Sequence, residues 1–150
     1  MIRSVKSMSI ALLVSIIAAC ASGPQFSGVA TPVSELGDVY LYRTSTLFAL
    51  GQSFDVALDG KPVGSLYDGS YLHLRLPTGK YALSVSPGGS AKVSTIEFQS
   101  ALGRAIYFQF DYPYDSRQNA MGNARFIGSS IQPRGSETAL RTLAALKSAK

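Results

Sequence analysis

The sequence contains a single cysteine, Cys20, a single histidine, His73, and no tryptophan. One cysteine cannot form a disulfide within the chain, and the cysteine and histidine ligands of a structural zinc site are lacking. A serine hydrolase would depend on His73 as its base, yet no G-x-S-x-G sequence accompanies it. We therefore expect no metal, no cofactor and no enzyme activity. We expect His73 to be an ordinary surface side chain on the outward face of a strand.

The sequence also lacks a hydrophobic stretch long enough to cross a membrane. Its longest such stretch covers residues 8–19, fewer than the ~20 residues that a spanning helix needs, and Gly23 and Pro24 follow it. Arg3 and Lys6 precede the stretch and complete the charged and apolar regions of a secretory signal. The pattern favours a signal peptide over a transmembrane helix.

The apolar stretch ends in Ile17-Ala18-Ala19-Cys20, which resembles the lipobox of bacterial lipoproteins. The resemblance implies a signal peptide over residues 1–19, a di- or triacylated Cys20, and attachment to the membrane through that residue. A plain secretory signal would instead leave an unpaired thiol in an oxidising compartment. The residue after the cysteine is Ala21, where an aspartate would favour the inner membrane. The resemblance therefore implies the inner leaflet of an outer membrane, with the chain facing the periplasm.

Charge is sparse and scattered in the rest of the chain. The net charge of the whole sequence is +5, and it falls to +3 once Arg3 and Lys6 leave with the signal peptide. The remaining cations form no run of like charge, so we expect no nucleic-acid partner. The length after residue 19 suits one domain with a core that needs no disulfides.

Residues 20–36 and 37–150 differ in composition. Serine, glycine, threonine and proline recur without an apolar period in residues 21–36, which predicts a flexible tether after the lipidated Cys20. From residue 38 onward apolar residues alternate with polar ones, as in half-buried strands. The predicted strands cover residues 39–43, 54–59, 63–66, 71–76, 81–86, 94–98 and 105–110, with a further short one at 125–128.

The last part of the chain changes to a helical period. The pattern predicts a short amphipathic helix over residues 137–147, with Ser136 as its N-cap and Glu137 in its first turn. We expect this helix to pack on the sheet or to cover an edge strand, with contact to a partner or a membrane as the alternative.

Residues 59–66, D-G-K-P-V-G-S-L, are followed by D-G-S-Y and L-P-T-G-K-Y-A-L. This pattern resembles a family of small bacterial lipoproteins catalogued as a domain of unknown function. It is also similar to surface-layer modules named for their Pro-Glu-Gly-Ala motif. The match covers about residues 38–112, and Thr78 is inserted between Pro77 and Gly79. The shared positions are turn glycines and alternate apolar residues, so the resemblance implies a β-sandwich accessory domain and no catalytic residue.

The expected fold class is therefore all-β. We predict an antiparallel β-sandwich (Ig-like/prealbumin-like) of about seven strands with a short C-terminal helix.

A cluster of tyrosines and carboxylates is the first candidate contact site. Asp111 and Asp115 flank Tyr112-Pro113-Tyr114. Exposed tyrosines can stack on a sugar ring or anchor a protein partner. The alternative is that both rings pack over the end of the sandwich.

Residues 47–50, Leu-Phe-Ala-Leu, are the second candidate, because four apolar residues stand where a polar loop is expected. They form an extra strand, fold inward, or expose an apolar patch through Leu47 and Phe48. The sequence thus predicts a non-enzymatic, lipid-anchored accessory or binding protein of the cell envelope, whose partner is an envelope protein or a cell-wall glycan. The alternative function is a carbohydrate- or peptidoglycan-binding module that uses the tyrosines.

Overall fold

The computed structural model describes residues 23–30, 35–46, 51–87, 92–112, 114–115, 125–126 and 128–149. The predicted signal peptide, Cys20, Leu47 and Phe48 lie outside the described residues, and so do the side chains of Tyr114 and Asp115. Within the described part of the chain, no helix is both long and apolar enough to cross a membrane.

The described elements are eleven strands and one helix. In chain order they are β1 Gly37–Arg43, β2 Phe54–Leu58, β3 Lys61–Leu66, β4 Ser70–Leu76, β5 Gly79–Ser86, β6 Ser94–Ser100, β7 Ala105–Asp111, β8 Tyr114–Asp115, β9 Arg125–Phe126, β10 Ser130–Arg134, α1 Ser136–Leu143 and β11 Lys147–Ser148. The seven predicted main strands are all present, and the all-β sandwich is confirmed.

Two sheets form the sandwich. Sheet A has the order β10-β7-β1-β4-β11, and sheet B has the order β3-β2-β5-β6, while β8 and β9 pair separately. Most neighbours are antiparallel, but β1 pairs in parallel with β7 and β4 pairs in parallel with β11. These parallel pairs join strands that are distant in sequence, so local patterns did not predict them.

The core between the sheets follows from the alternation along each strand. Phe54 and Val56 point inward from β2, and Phe108 and Phe110 point inward from β7. At about 25 cal/mol for each Å² of apolar surface removed from water, this layer is the main source of stability. Its fully or nearly buried members are Val39, Leu41, Phe54, Val56, Leu66, Leu72, Leu76, Leu83, Val85, Phe108, Phe110 and Ala149.

Sheet A is buried on its second face as well. All seven residues of β1 are buried, because α1 packs against the face opposite to sheet B. Ala139 and Leu143 of α1 form a second cluster with Tyr40, Tyr42 and Tyr107. Of the alternatives for the helix, packing on the sheet is the one observed.

The helix is shorter than predicted and begins differently. Gly135 is the N-cap and makes no side-chain hydrogen bond, so the prediction that Ser136 caps the helix is wrong. The helix ends at Leu143, and the backbone N–H of Leu146 donates to the Leu143 carbonyl at 2.8 Å. Lys147 then joins β4 as part of β11, which satisfies its backbone through the sheet rather than through another helical turn.

Candidate functional site

Residues 23–30 of the predicted tether lie against the sandwich. The Ser148 N–H donates to the Pro24 carbonyl at 2.8 Å, and the Phe26 N–H donates to the Leu146 carbonyl at 3.1 Å. Gln25 forms an antiparallel bridge with Lys147. This stretch therefore extends the edge of sheet A beyond β11, whereas the composition of residues 21–36 predicted a flexible tether.

The packing of Phe26 and of Gly23 explains why this stretch is held against the sandwich. The Phe26 ring makes edge contacts with Tyr40 at 5.8 Å and Tyr71 at 5.4 Å between ring centroids. Gly23 is buried so close to β11 that a Cβ atom there would lie 2.2 Å from the Ser148 carbonyl oxygen. A lone aromatic residue in a stretch rich in serine and glycine was the sequence signal that this part of the chain is docked.

The position of Gly23 limits the distance between the sandwich and the predicted lipid. Cys20 precedes Gly23 by three residues, and three Cα–Cα steps span at most about 11 Å. If Cys20 is acylated, Gly23 lies within that distance of the acylated residue.

One end of the sandwich is built around the buried Arg43. Its Nη1 donates to the Gln52 carbonyl at 2.9 Å, and its Nη2 lies 3.3 Å from Oδ1 of Asp68. The guanidinium also lies over the Phe54 ring, 4.7 Å from its centroid. Burial lowers the pKa of Arg43 below its ordinary value, and the nearby Asp68 opposes this change.

Asp68 connects this end to the candidate apolar loop. Its carboxylate accepts hydrogen bonds from the Ser45 hydroxyl and, at 3.0 Å, from the Thr46 N–H. Thr46 and Gly51 are the described residues on either side of Leu47 and Phe48. Both ends of that loop therefore lie at the Arg43 end of the sandwich.

The candidate Tyr112 lies at the same end. Its half-buried ring packs 4.8 Å from Phe54 and 6.3 Å from Phe110. For this residue the structure agrees with the alternative in which the ring closes the sandwich. For Tyr114 and Asp115 the structure gives only the backbone, where β8 pairs with β9.

The candidate Asp111 is engaged in the outer face of sheet A. Its Oδ1 accepts a hydrogen bond from Gln109 Nε2 at 2.7 Å, and its Oδ2 lies 3.5 Å from Arg134. Asp111 is therefore not aligned with Tyr112 as part of one open surface. The structure brings Arg43, Phe54 and Tyr112 together and directs Asp111 elsewhere.

A polar cluster that the sequence did not predict lies on the outer face of sheet A. The buried Asp38 places Oδ1 2.7 Å from His73 Nε2 and 3.3 Å from Arg75 Nε. The His73 ring stacks on Tyr40 at 4.4 Å, with 2° between the planes. The expectation that His73 is an ordinary surface side chain is wrong, because its ring is held by an aromatic partner and a carboxylate.

This polar cluster is linked to the docked residues 23–30 through Tyr40. Tyr40 accepts a hydrogen bond from the Ala30 N–H at 3.1 Å, so the docked residues 23–30 and His73 share one tyrosine. Among the described residues, no group of three or more histidine, cysteine, aspartate or glutamate side chains could hold a metal ion.

Sheet B carries a polar cleft on its outer face. The cleft has a volume of about 450 Å³ and is lined by the polar residues Asp59, Lys80, Glu97 and Gln99 and by Tyr81, Ala82 and Phe98. Asp59 is held by the Ala82 N–H, which donates to its carboxylate at 2.8 Å. A smaller cleft of about 280 Å³ lies between β6 and β10. Carboxylates, an amide and an ammonium group are the kinds of group that hydrogen-bond sugar hydroxyls.

Comparison with protein-family models, curated proteins and solved structures finds no match to this chain. The resemblance to small lipoproteins and to surface-layer modules therefore stays a prediction from the sequence motifs.

Proposed function

We propose that the chain is a lipid-anchored, non-enzymatic accessory module of the cell envelope. Acyl chains on Cys20 hold it in a membrane, with the inner leaflet of the outer membrane as the proposed location. The β-sandwich faces the periplasm and binds an envelope partner through its Arg43 end. The observation that carries this proposal is the sequence Ile17-Ala18-Ala19-Cys20, which resembles a lipobox and ends three residues before Gly23.

The energetics support a permanent anchor. Each buried methylene contributes about 0.8 kcal/mol, and two acyl chains already give stable attachment. We therefore assign membrane attachment to acyl chains on Cys20.

The Arg43 end is proposed as the contact surface because the bases of its loops are fixed. Arg43 ties Gln52 to Asp68, and Asp68 holds the first residues of the loop. Preorganised loops lose less conformational entropy on binding. The proposed contact residues are Leu47, Phe48, Tyr112 and Tyr114, with Asp115 next to Tyr114 in sequence.

The anchor is tested with Cys20→Ser. The variant keeps the chain length and the hydrophobic stretch, so secretion can continue while acylation cannot. We expect the wild-type protein in the membrane fraction and the variant outside it after cell fractionation. A variant that stays in the membrane fraction as fully as the wild type contradicts the anchor.

The contact surface is tested by capture from detergent-solubilised envelope. Tyr112→Phe keeps the ring that packs on Phe54, so it can be combined with Tyr114→Ala without opening the core. We expect this combination to reduce recovery of a partner, whereas Lys80→Ala with Gln99→Ala on sheet B leaves recovery unchanged. Equal recovery with both combinations rejects the assignment of the surface.

A second candidate function is binding of a cell-wall glycan, and the polar cleft of sheet B favours it. Co-sedimentation with purified cell wall at low salt is the test. If a glycan binds in the cleft, Lys80→Ala with Gln99→Ala should weaken sedimentation of the protein with the cell wall. If the tyrosines bind the glycan, Tyr112→Phe with Tyr114→Ala should abolish this sedimentation. A wild-type protein that does not sediment with the cell wall rejects both modes of glycan binding.

A further inference from the structure

The docked residues 23–26 meet the sandwich at one of its edges. Residues 23–26 lie along β11, the edge strand of sheet A, and β3 is the edge strand of sheet B on the same side, since β3 packs against β4. We call this the anchor side. Its exposed residues include Pro24, Gln25, Lys61, Pro62 and Lys147.

Docking of residues 23–30 shortens the length of chain between Cys20 and the sandwich. With residues 23–30 docked, about 11 Å at most separates Cys20 from the domain at Gly23. With the same stretch detached, the chain from Cys20 to Gly37 could extend to about 60 Å at ~3.5 Å per residue. Docking therefore decides whether the sandwich lies at the bilayer or moves freely above it.

The anchor side carries exposed positive charge. Lys61 and Lys147 are exposed there, and basic side chains near a bilayer are attracted to anionic headgroups. Pro62 and Lys61 also make β3 a poor template for another strand. A lipid surface suits this side better than an added β-strand does.

We propose that residues 23–30 act as a clasp that holds the anchor side of the sandwich against the headgroups of an anionic bilayer. This inference rests on the proposed acylation of Cys20. The clasp is made by Phe26 between Tyr40 and Tyr71, and by the close approach of Gly23 to Ser148. The β6 and β10 side then points away from the membrane.

The experiment uses the acylated full-length protein in vesicles of phosphatidylethanolamine and phosphatidylglycerol. Acylation blocks the Cys20 thiol, so an introduced cysteine takes a fluorophore selectively. Pro62→Cys and Thr95→Cys are a matched pair, because both sites are exposed and lie at the same register across sheet B. They differ by three strand spacings, about 14 Å.

The measurement is quenching of each fluorophore by lipids that carry a headgroup quencher. We expect stronger quenching at Pro62→Cys than at Thr95→Cys. Gly23→Val removes the space beside Ser148, and Phe26→Ala removes the aromatic contacts, so each should make quenching at the two sites equal. Ser27→Ala, at an exposed position of the same stretch, should keep the difference.

The outcomes separate this inference from the proposed function. A protein that does not float with the vesicles rejects the acyl anchor and the clasp together. A protein that floats but shows equal quenching at both sites in the wild-type background rejects the clasp alone. An unchanged difference in both Gly23→Val and Phe26→Ala also rejects the clasp.

Discussion

Sheets A and B have similar inward faces and different outward faces. The outward side chains Tyr40, Tyr42 and Tyr107 of sheet A are buried beneath α1 and Phe26, whereas Thr95 of sheet B is exposed. The same alternation along a strand therefore leads to two environments. The difference arises because α1 and Phe26 cover the outward tyrosines of sheet A.

The largest expected effect is a loss of stability when the covered outward face of sheet A, rather than the open one of sheet B, is truncated. Tyr40→Ala removes a ring that contacts Phe26, His73 and Tyr107, and we expect the free energy of unfolding to fall by about 3–5 kcal/mol. Thr95→Ala should change it by less than about 0.5 kcal/mol. Urea unfolding measures both. Similar losses in the two variants would mean that the outward faces are equally covered.

The next largest loss of stability is expected at the Arg43 end, where sheets A and B are joined. Arg43→Met keeps much of the side-chain volume but removes the guanidinium that pairs with the Asp68 carboxylate, which keeps its bonds to Ser45 and Thr46. We expect a loss of about 3 kcal/mol, because a buried ion pair loses one partner. Arg104→Met, at an exposed position, is the control. A loss no larger than that of the control, measured by urea unfolding, would show that the ion pair does not join the sheets.

A third effect is confined to alkaline solution and should arise from sheet A. Burial raises the pKa of Tyr40, Tyr42 and Tyr107 above the ordinary value of 10.0. The folded state thus favours the protonated phenols. Their contribution to stability is complete below about pH 10 and is lost as the pH rises through their folded pKa values.

Absorbance of tyrosinate and urea unfolding along a pH series check this expectation. We expect late titration of the buried phenols and a fall in stability above pH 10 that is smaller in Tyr40→Phe. Titration of all tyrosines at their ordinary pKa, with no change in stability, would contradict the buried outer face of sheet A.

The smallest expected effect is an increase in stability at the N-terminus of α1. Gly135 caps α1 with extended backbone at φ −65° and ψ 147°, and a Cβ atom there would meet no neighbour within 4 Å. Gly135→Asp adds a side-chain acceptor for the first turn and should raise stability by about 0.5 kcal/mol. Gly135→Ala, which adds only the Cβ, is the control. Thermal unfolding should give a higher Tm for the aspartate variant, and a Tm no higher than that of the control would reject the cap.

The strands could be predicted because local patterns determine them. Asp59-Gly60 forms the predicted turn with positive φ at both residues, and β2 and β3 pair on either side of it. Apolar residues at alternate positions gave the inward face of both sheets. These features need only neighbouring residues.

The remaining features depend on contacts between distant parts of the chain. His73 and Arg75 alternate with leucines and therefore suggested an open polar face, but α1 and Phe26 cover the tyrosines beside them. The parallel pairing of β1 with β7 and the capture of Lys147 by β4 have no local signature. The candidate site was only partly predicted for the same reason, since the packing of Tyr112 on Phe54 brings together two parts of the chain that are distant in sequence.

The most direct test of the acyl anchor is the intact mass of the protein recovered from membranes, together with fragmentation of its N-terminal peptide. The account predicts a chain that begins at Cys20 and carries the mass of diacylglycerol on that residue, with or without a further acyl chain. A mature chain that begins after Cys20, or that retains Cys20 with an unmodified thiol, would contradict it.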